Sequence, residues 1–309
     1  MAAAGPRRRL GPAATAMLLV AVNFPDADVL LSLAGQDAYV FNHRGFSHSL
    51  PGTFLSSLFL AYVFRKMAPS IGFWSYFLLA WVGQISNVLL DLTNAWGTMP
   101  LWPFQRQWLH LGWTAIMDPW IWGILTAGLV LSLLRPRSAA WTSWAAIFAL
   151  AGYCLLCGAG SRMAKRHFGD VMTRIRVRPD RVEGFPQLFR PMTWMIAGYL
   201  PDRYYIAEVH ALDGLKGRVK MFMRSGLPEG LKGPFTADYE RWATAPLARP
   251  YAEADSWALL DLRFYGRPEG MPFVVKMYRD PAGRTVHSWL PWRVRPPVAE
   301  QEYEITGGR

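Results

Sequence analysis

Cysteine is nearly absent, and acidic residues are scarce in the first half of the chain. The two cysteines among 309 residues, Cys154 and Cys157, sit inside one apolar run. No second pair completes a four-thiolate metal site, and no βαβ pattern suggests a redox motif, so they read as small apolar side chains of a helix. Residues 1–164 contain no glutamate and only five aspartates, Asp26, Asp28, Asp37, Asp91 and Asp118, beside ten Lys/Arg. Residues 165–309 hold the other 23 of 33 basic and 17 of 22 acidic residues. A charge-poor half followed by a charge-rich half predicts a transmembrane helical domain, 1–164, and a soluble domain, 165–309. Zinc-finger, helix-turn-helix and RNA-binding signatures are also missing. The net charge of +11 therefore implies no nucleic-acid partner. Much of the excess flanks apolar runs, where positive-inside topology and anionic membrane lipids account for it. Internal repeats are absent as well.

What is present is a series of apolar runs. Arg7, Arg8 and Arg9 precede Ala13–Phe24, which resembles a signal peptide but lacks a small-residue cleavage site. At about 18 Å it is shorter than a bilayer core. It reads as a retained, tilted or half-spanning piece, or as the end of a longer segment that begins upstream. Leu50–Phe64, Ile71–Leu92, Trp113–Leu134 and Ala139–Ala159 follow. The expected fold is thus an α-helical polytopic membrane domain of four to five spans followed by a β-rich α+β soluble domain. Alternation puts Arg65, Lys66, Arg135 and Arg137 on one side, in the cytoplasm, and the loops Ala34–Ser49 and Asn94–Gly112 on the other. The motif face and the C-terminal domain would then lie outside, although Arg162, Lys165 and Arg166 oppose this. After Lys165, strands are expected at Thr193–Tyr199, Tyr204–Ala211, Arg218–Met223, Trp257–Phe264 and Pro272–Tyr278. A turn is expected at Asp280–Gly283, and a helix over Asp238–Ala254 interrupted by Pro246 and Pro250.

Ionisable residues in or beside membrane spans are costly and point to function. They fall in four motifs. In Pro25-Asp26-Ala27-Asp28 two carboxylates can share a cation or cap a helix. In Asn42-His43-Arg44-Gly45-Phe46-Ser47-His48-Ser49 two imidazoles can converge as ligands if Gly45 permits a turn. The alternatives are an interfacial His pair with a snorkelling Arg44, or Ser47 as an N-cap. Asn87 and Asp91 share a helical face, and Asp91 can instead pair with Arg44 or Arg106. Asp118-Pro119-Trp120 reads first as a helix cap.

Taken in order, Pro25–Asp28, His43–Ser49, Ser86–Asp91, Gly97-Thr98 through Pro103-Phe104, and Asp118–Trp120 resemble a bacterial inner-membrane family of metal-dependent hydrolases, the YdjM-like family. Phe189, Pro191, Trp194 and Tyr204-Tyr205 look like the C-terminal part of longer members. The family's His in S-H-x-x-x-D is Asn87 here, and its usual early helix with a T-H pair is lacking. The resemblance implies a divalent metal, zinc first with manganese or iron as alternatives, held by His43, His48, Asp91 and Asp28. It further implies Asp26 or Asp28 as general base, and Arg44 steadying an anionic group. The expected function is a membrane-embedded metal-dependent hydrolase acting on a lipid-linked or headgroup ester at the inner membrane. The alternative is a catalytically degenerate protein of the same fold with a structural or binding role. The sequence says nothing about oligomeric state. Ser161-Arg162 with His167 and Asp170 is similar to the S-R-x5-H-x3-D motif of phosphatidic-acid-type phosphatases, but is one residue short at each gap.

Overall fold

The computed structural model describes residues 6–251, 255–265, 271–291 and 301–303. The chain divides into two compact units, Met1–Gly158 and Ala159–Arg309.

The first unit is helical. α1 (Pro6–Asn23) is broken at Gly11, whose φ of 75° suits a residue without a Cβ. A 3-10 run, Pro25–Ala34, and α2 (Gln36–Asn42) follow. A short 3-10 turn, Phe46–His48, leads into α3 (Leu50–Met67), and α4 (Phe73–Thr93) returns alongside it. α5 (Pro119–Leu134) and α6 (Ala139–Arg174) come after a long loop, and the last part of α6, from Ala159, belongs to the second unit. Met17 and Ala21 of α1, Leu60 and Ala61 of α3, and Tyr76, Phe77 and Ala80 of α4 form one buried cluster. At Gly83 a Cβ would stand 3.3 Å from Ala21 Cβ, so glycine lets α1 and α4 approach closely. Gln84 donates to Ser57 Oγ at 2.9 Å and accepts from Ser56 at 2.7 Å, which satisfies a buried amide between α3 and α4.

The expected four to five spans are corrected to two, or three. Among the described residues, only α4, at 21 residues, and Pro136–Arg174, at 39, are long and apolar enough to cross a membrane. Gly11–Asn23 and Pro25–Ala34, bent by 46°, make a third if they count as one span. α3 covers Leu50–Phe64 but is diluted by Thr53, Ser56, Ser57, Arg65 and Lys66. The run Trp113–Leu134 becomes helical only at Pro119. Its 16 residues reach about 24 Å, short of a hydrocarbon core of about 30 Å.

The second unit holds two antiparallel sheets. β1 (Arg181–Pro186), β2 (Thr193–Tyr199), β3 (Arg203–His210) and β4 (Gly214–Met223) pair in sequence order, and all seven residues of β2 are buried. The helix expected over Asp238–Ala254 is instead α7 (Pro234–Trp242) followed by strand β5 (Pro246–Pro250). Pro246 and Pro250 remove helix donors and are tolerated at strand ends. β6 (Trp257–Asp261), β7 (Val275–Arg279) and β8 (Thr285–Trp289) complete that sheet, and β9 (Gln301–Tyr303) joins the first sheet beside β4. The turn at Asp280–Gly283 is present, with Gly283 N–H donating to Asp280 O at 2.8 Å.

Candidate metal centre

Three segments meet where α3 begins and α4 ends: the 3-10 run bearing Asp26 and Asp28, the His43–Ser49 turn, and the last turn of α4 bearing Asn87 and Asp91. The turn is built by Arg44, not by Gly45. Arg44 adopts the left-handed φ of 61°, a conformation that costs on the order of 1 kcal/mol for a residue with a Cβ. Its N–H donates to Asp28 Oδ2 at 2.8 Å, and its carbonyl accepts from Met99 N–H at 3.0 Å. Gly45 matters for room, since a Cβ there would lie 2.8 Å from Asn42 O. Ser49, rather than Ser47, caps α3, accepting from Gly52 N–H at 2.9 Å.

Asp28 anchors the turn. Its Oδ1 accepts from His43 Nδ1 at 2.6 Å, and its Oδ2 accepts from Ser47 Oγ at 2.5 Å. Ser47 has a single proton, and the carboxylate takes it. The 2.9 Å contact between Ser47 Oγ and His48 Nδ1 is therefore an Nδ1–H donated to the hydroxyl oxygen. In a neutral ring this leaves a bare lone pair on Nε2. That lone pair faces two carboxylates, with Asp91 Oδ2 at 3.1 Å and Asp26 Oδ1 at 3.4 Å. His48 Nε2 and Asp91 Oδ2 make no hydrogen bond despite their proximity, and both are buried. Either a proton or a cation belongs among these atoms.

Charge counting agrees. Asp26, Asp28 and Asp91 face one guanidinium, that of Arg44, whose Nη2 is 3.0 Å from Asp91 Oδ1. The two negative charges left over match one divalent cation. Burial alone would push the His48 imidazole down, but the carboxylates of Asp26, Asp28 and Asp91 overcome it and hold the ring up at about 10.

Asp26, His48 and Asp91 each offer a ligand atom within 4.8 Å of the others, the one such group among the described residues. His43 and Asp28 stand beside this group as a hydrogen-bonded pair, with the His43 ring 6.1 Å from that of His48. Arg44 is buried, so it does not snorkel; it pairs with Asp91 and donates to Asn94 Oδ1 at 3.2 Å. Asn87 Nδ2 donates to Asp26 Oδ2 at 2.7 Å. Exposure rises across the group, from 0% for the His48 side chain through 14% for Asp91 to 45% for Asp26. The site is closed behind His48 and open beside Asp26.

Sequence reasoning left out three supports. Asn94 Oδ1 also accepts from Trp96 and Gly97 N–H, at 2.8 and 3.2 Å, holding the loop that carries Arg44's partner. The T/N-x-x-G pattern at 94–97 was the available signal. Tyr39 stacks on His43 at 4.7 Å and Trp96 meets its edge at 5.7 Å; neither leaves a mark in the sequence. Asp118 is a cap, accepting from Trp120 N–H at 3.0 Å and from the Tyr153 hydroxyl at 3.0 Å. His167 Nε2 lies 3.0 Å from Ala211 O.

The model of the YdjM inner membrane protein family matches residues 1–163. YfhP of Bacillus subtilis (strain 168), named as an uncharacterized protein, is 37% identical over 100 residues, 31% of this chain and 30% of that protein. The match thus spans less than a third of the relative's length. No solved structure matches the chain. With the family match extending over more than half of its residues, and with membrane-length helices and a His/Asp/Asp cluster both present, the chain belongs to the YdjM inner membrane protein family.

Proposed function

We propose that the chain is a membrane-embedded metal-dependent hydrolase whose divalent ion is held by His48, Asp91 and Asp26. The single observation that carries this is His48 Nε2, buried without a hydrogen-bond partner and 3.1 and 3.4 Å from two carboxylate oxygens, with Nδ1 already committed to Ser47. Three protein ligands with an open fourth position suit a catalytic ion, and the exposed edge at Asp26 supplies the opening. Zinc fits an imidazole–carboxylate set first, with manganese and iron as alternatives. When bound, such an ion lowers the pKa of a water toward neutrality. Asp28 orients His43 and, through Ser47, His48, and the His43–Asp28 pair is the nearest candidate to take a proton. Arg44 neutralises Asp91 and holds it in place.

A lipid-linked or headgroup ester is the proposed substrate. Supporting it, Val29, Leu30 and Leu33 are exposed on the same 3-10 run as Asp26 and Asp28, and Phe46 is exposed on the adjoining turn. The site lies at the opposite end of α3 and α4 from their connector, beside which the last turn of α3 carries Arg65 and Lys66. The positive charge there supports a cytoplasmic connector and a site at the outer face. Residues 165–309, with most of the chain's charge, are proposed to form a separate water-facing domain.

The second reading is a non-catalytic member, favoured by Asn87 where the family pattern has His. Metal analysis of detergent-purified protein separates the two. The enzyme reading expects one zinc, manganese or iron per chain, lost at least tenfold in His48→Ala and Asp91→Asn, together with metal-dependent hydrolysis of lipid esters or phosphoesters in mixed micelles. If wild type holds no stoichiometric ion even after reconstitution, the enzyme reading fails.

A further inference from the structure

Asn87 stands one helical turn before Asp91 on α4 and touches the centre only through Asp26. The orientation of its amide is fixed by chemistry. Its Nδ2 is 2.7 Å from Asp26 Oδ2, and a carboxylate only accepts, so the nitrogen must face Asp26 and Oδ1 must face away. Two things follow. Asp26 Oδ2 is occupied, which leaves Oδ1, 3.4 Å from His48 Nε2, as the oxygen presented to the centre. Asn87 Oδ1 is itself buried and has no hydrogen-bond partner. A buried acceptor left unpaired beside a polar site is matched by a donor the chain does not supply.

Resting on the metal-centre reading above, we infer that Asn87 is the positioning residue of the site. Its N–H fixes which oxygen of Asp26 would become the ligand, and its buried, unpaired carbonyl is left for a donor from outside the chain, such as a water. Asn87 is therefore an outer partner of the ion in its own right, and a replacement that loses the N–H donor releases the most exposed ligand.

Competition of full-length protein against a chromogenic chelator, with Zn²⁺ as the probe, tests this, and Co²⁺ substitution reports the coordination spectroscopically. Asn87→Ala should still bind one ion, about 10- to 100-fold more weakly, with a changed Co²⁺ ligand-field spectrum. Asn87→His, which can donate a ring N–H to Asp26, should recover affinity to within about threefold of wild type. A merely structural role would lower the melting temperature of Asn87→Ala and leave its Co²⁺ spectrum unchanged. Wild-type Zn²⁺ affinity within twofold in Asn87→Ala, with an unchanged spectrum, overturns the inference while leaving the metal centre standing. No binding in wild type overturns both. If Asn87→Ala does not fold, Asn87→His decides: affinity within about threefold upholds the role, and a loss above tenfold in a folded protein rejects it.

Discussion

At the scale of single residues, His48 sets the behaviour of the site. In metal-free protein its ring is held up at about 10 by three carboxylates, against about 6.5 in an unfolded chain. The stability this charge contributes is complete below pH 6.5 and is lost as pH rises toward 10. Chelator-treated protein in detergent should therefore melt at least about 5 °C lower at pH 10 than at pH 6.5. His48→Gln should flatten that dependence, whereas a flat wild-type profile would remove the imidazolium. Much at this scale was legible beforehand. Asp26, Asp28, His43, His48 and Asp91 stood out because ionisable groups are so scarce in residues 1–164. What could not be read was the partnering. Two imidazoles five residues apart converge only as their turn dictates, and the left-handed Arg44 that shapes this one is stabilised by Asp28 and Met99, contacts made across the fold.

Among the elements, the junction between the His48 turn and α3 is the most tightly determined. At Gly52 a Cβ would fall 1.8 Å from Phe46 O and 3.0 Å from Ser49 Oγ. Gly52→Ala must push the first turn of α3 away from the segment bearing His48, although Gly52 touches no ligand atom. The expected result is a destabilisation of about 1–3 kcal/mol and at least a tenfold loss of Zn²⁺ affinity by competition titration. Gly72→Ala, with nothing within 4 Å of the added methyl, should stay within about 0.5 kcal/mol of wild type and serve as the control. Element types followed the sequence where pattern was strong: α4, β2 and β3 lie within a residue or two of expectation. They departed where local composition was ambiguous. β5, bounded by Pro246 and Pro250, looked like an interrupted helix, yet it pairs along its length with β6. β1 was not anticipated because Arg181, Glu183 and Gly184 hide its alternation, and pairing to the buried β2 supplies what the pattern lacks.

For the whole molecule, the charge-poor first half was legible as membrane-embedded, but the number of crossings was not. Apolar runs in helices that pack on one another look like runs that face lipid, and α3 and α5 separate from true spans only once their lengths and polar faces are known. Two or three helices among the described residues are still long and apolar enough to hold the chain in a membrane. Alkaline carbonate washing should leave the full-length protein in the membrane pellet; recovery of most of it in the supernatant would argue against integral spans. The three proposed ligands come from segments far apart in the chain, Asp26 before α2, His48 before α3 and Asp91 at the end of α4. Separate helices inserted in a bilayer contain no such site, so an ion that binds there binds only the associated form. Its binding free energy is then added to the association of the helices. Supply of the ion and assembly of the helical unit thereby become one equilibrium, and a cell short of that ion would carry more of this protein as loosely associated helices.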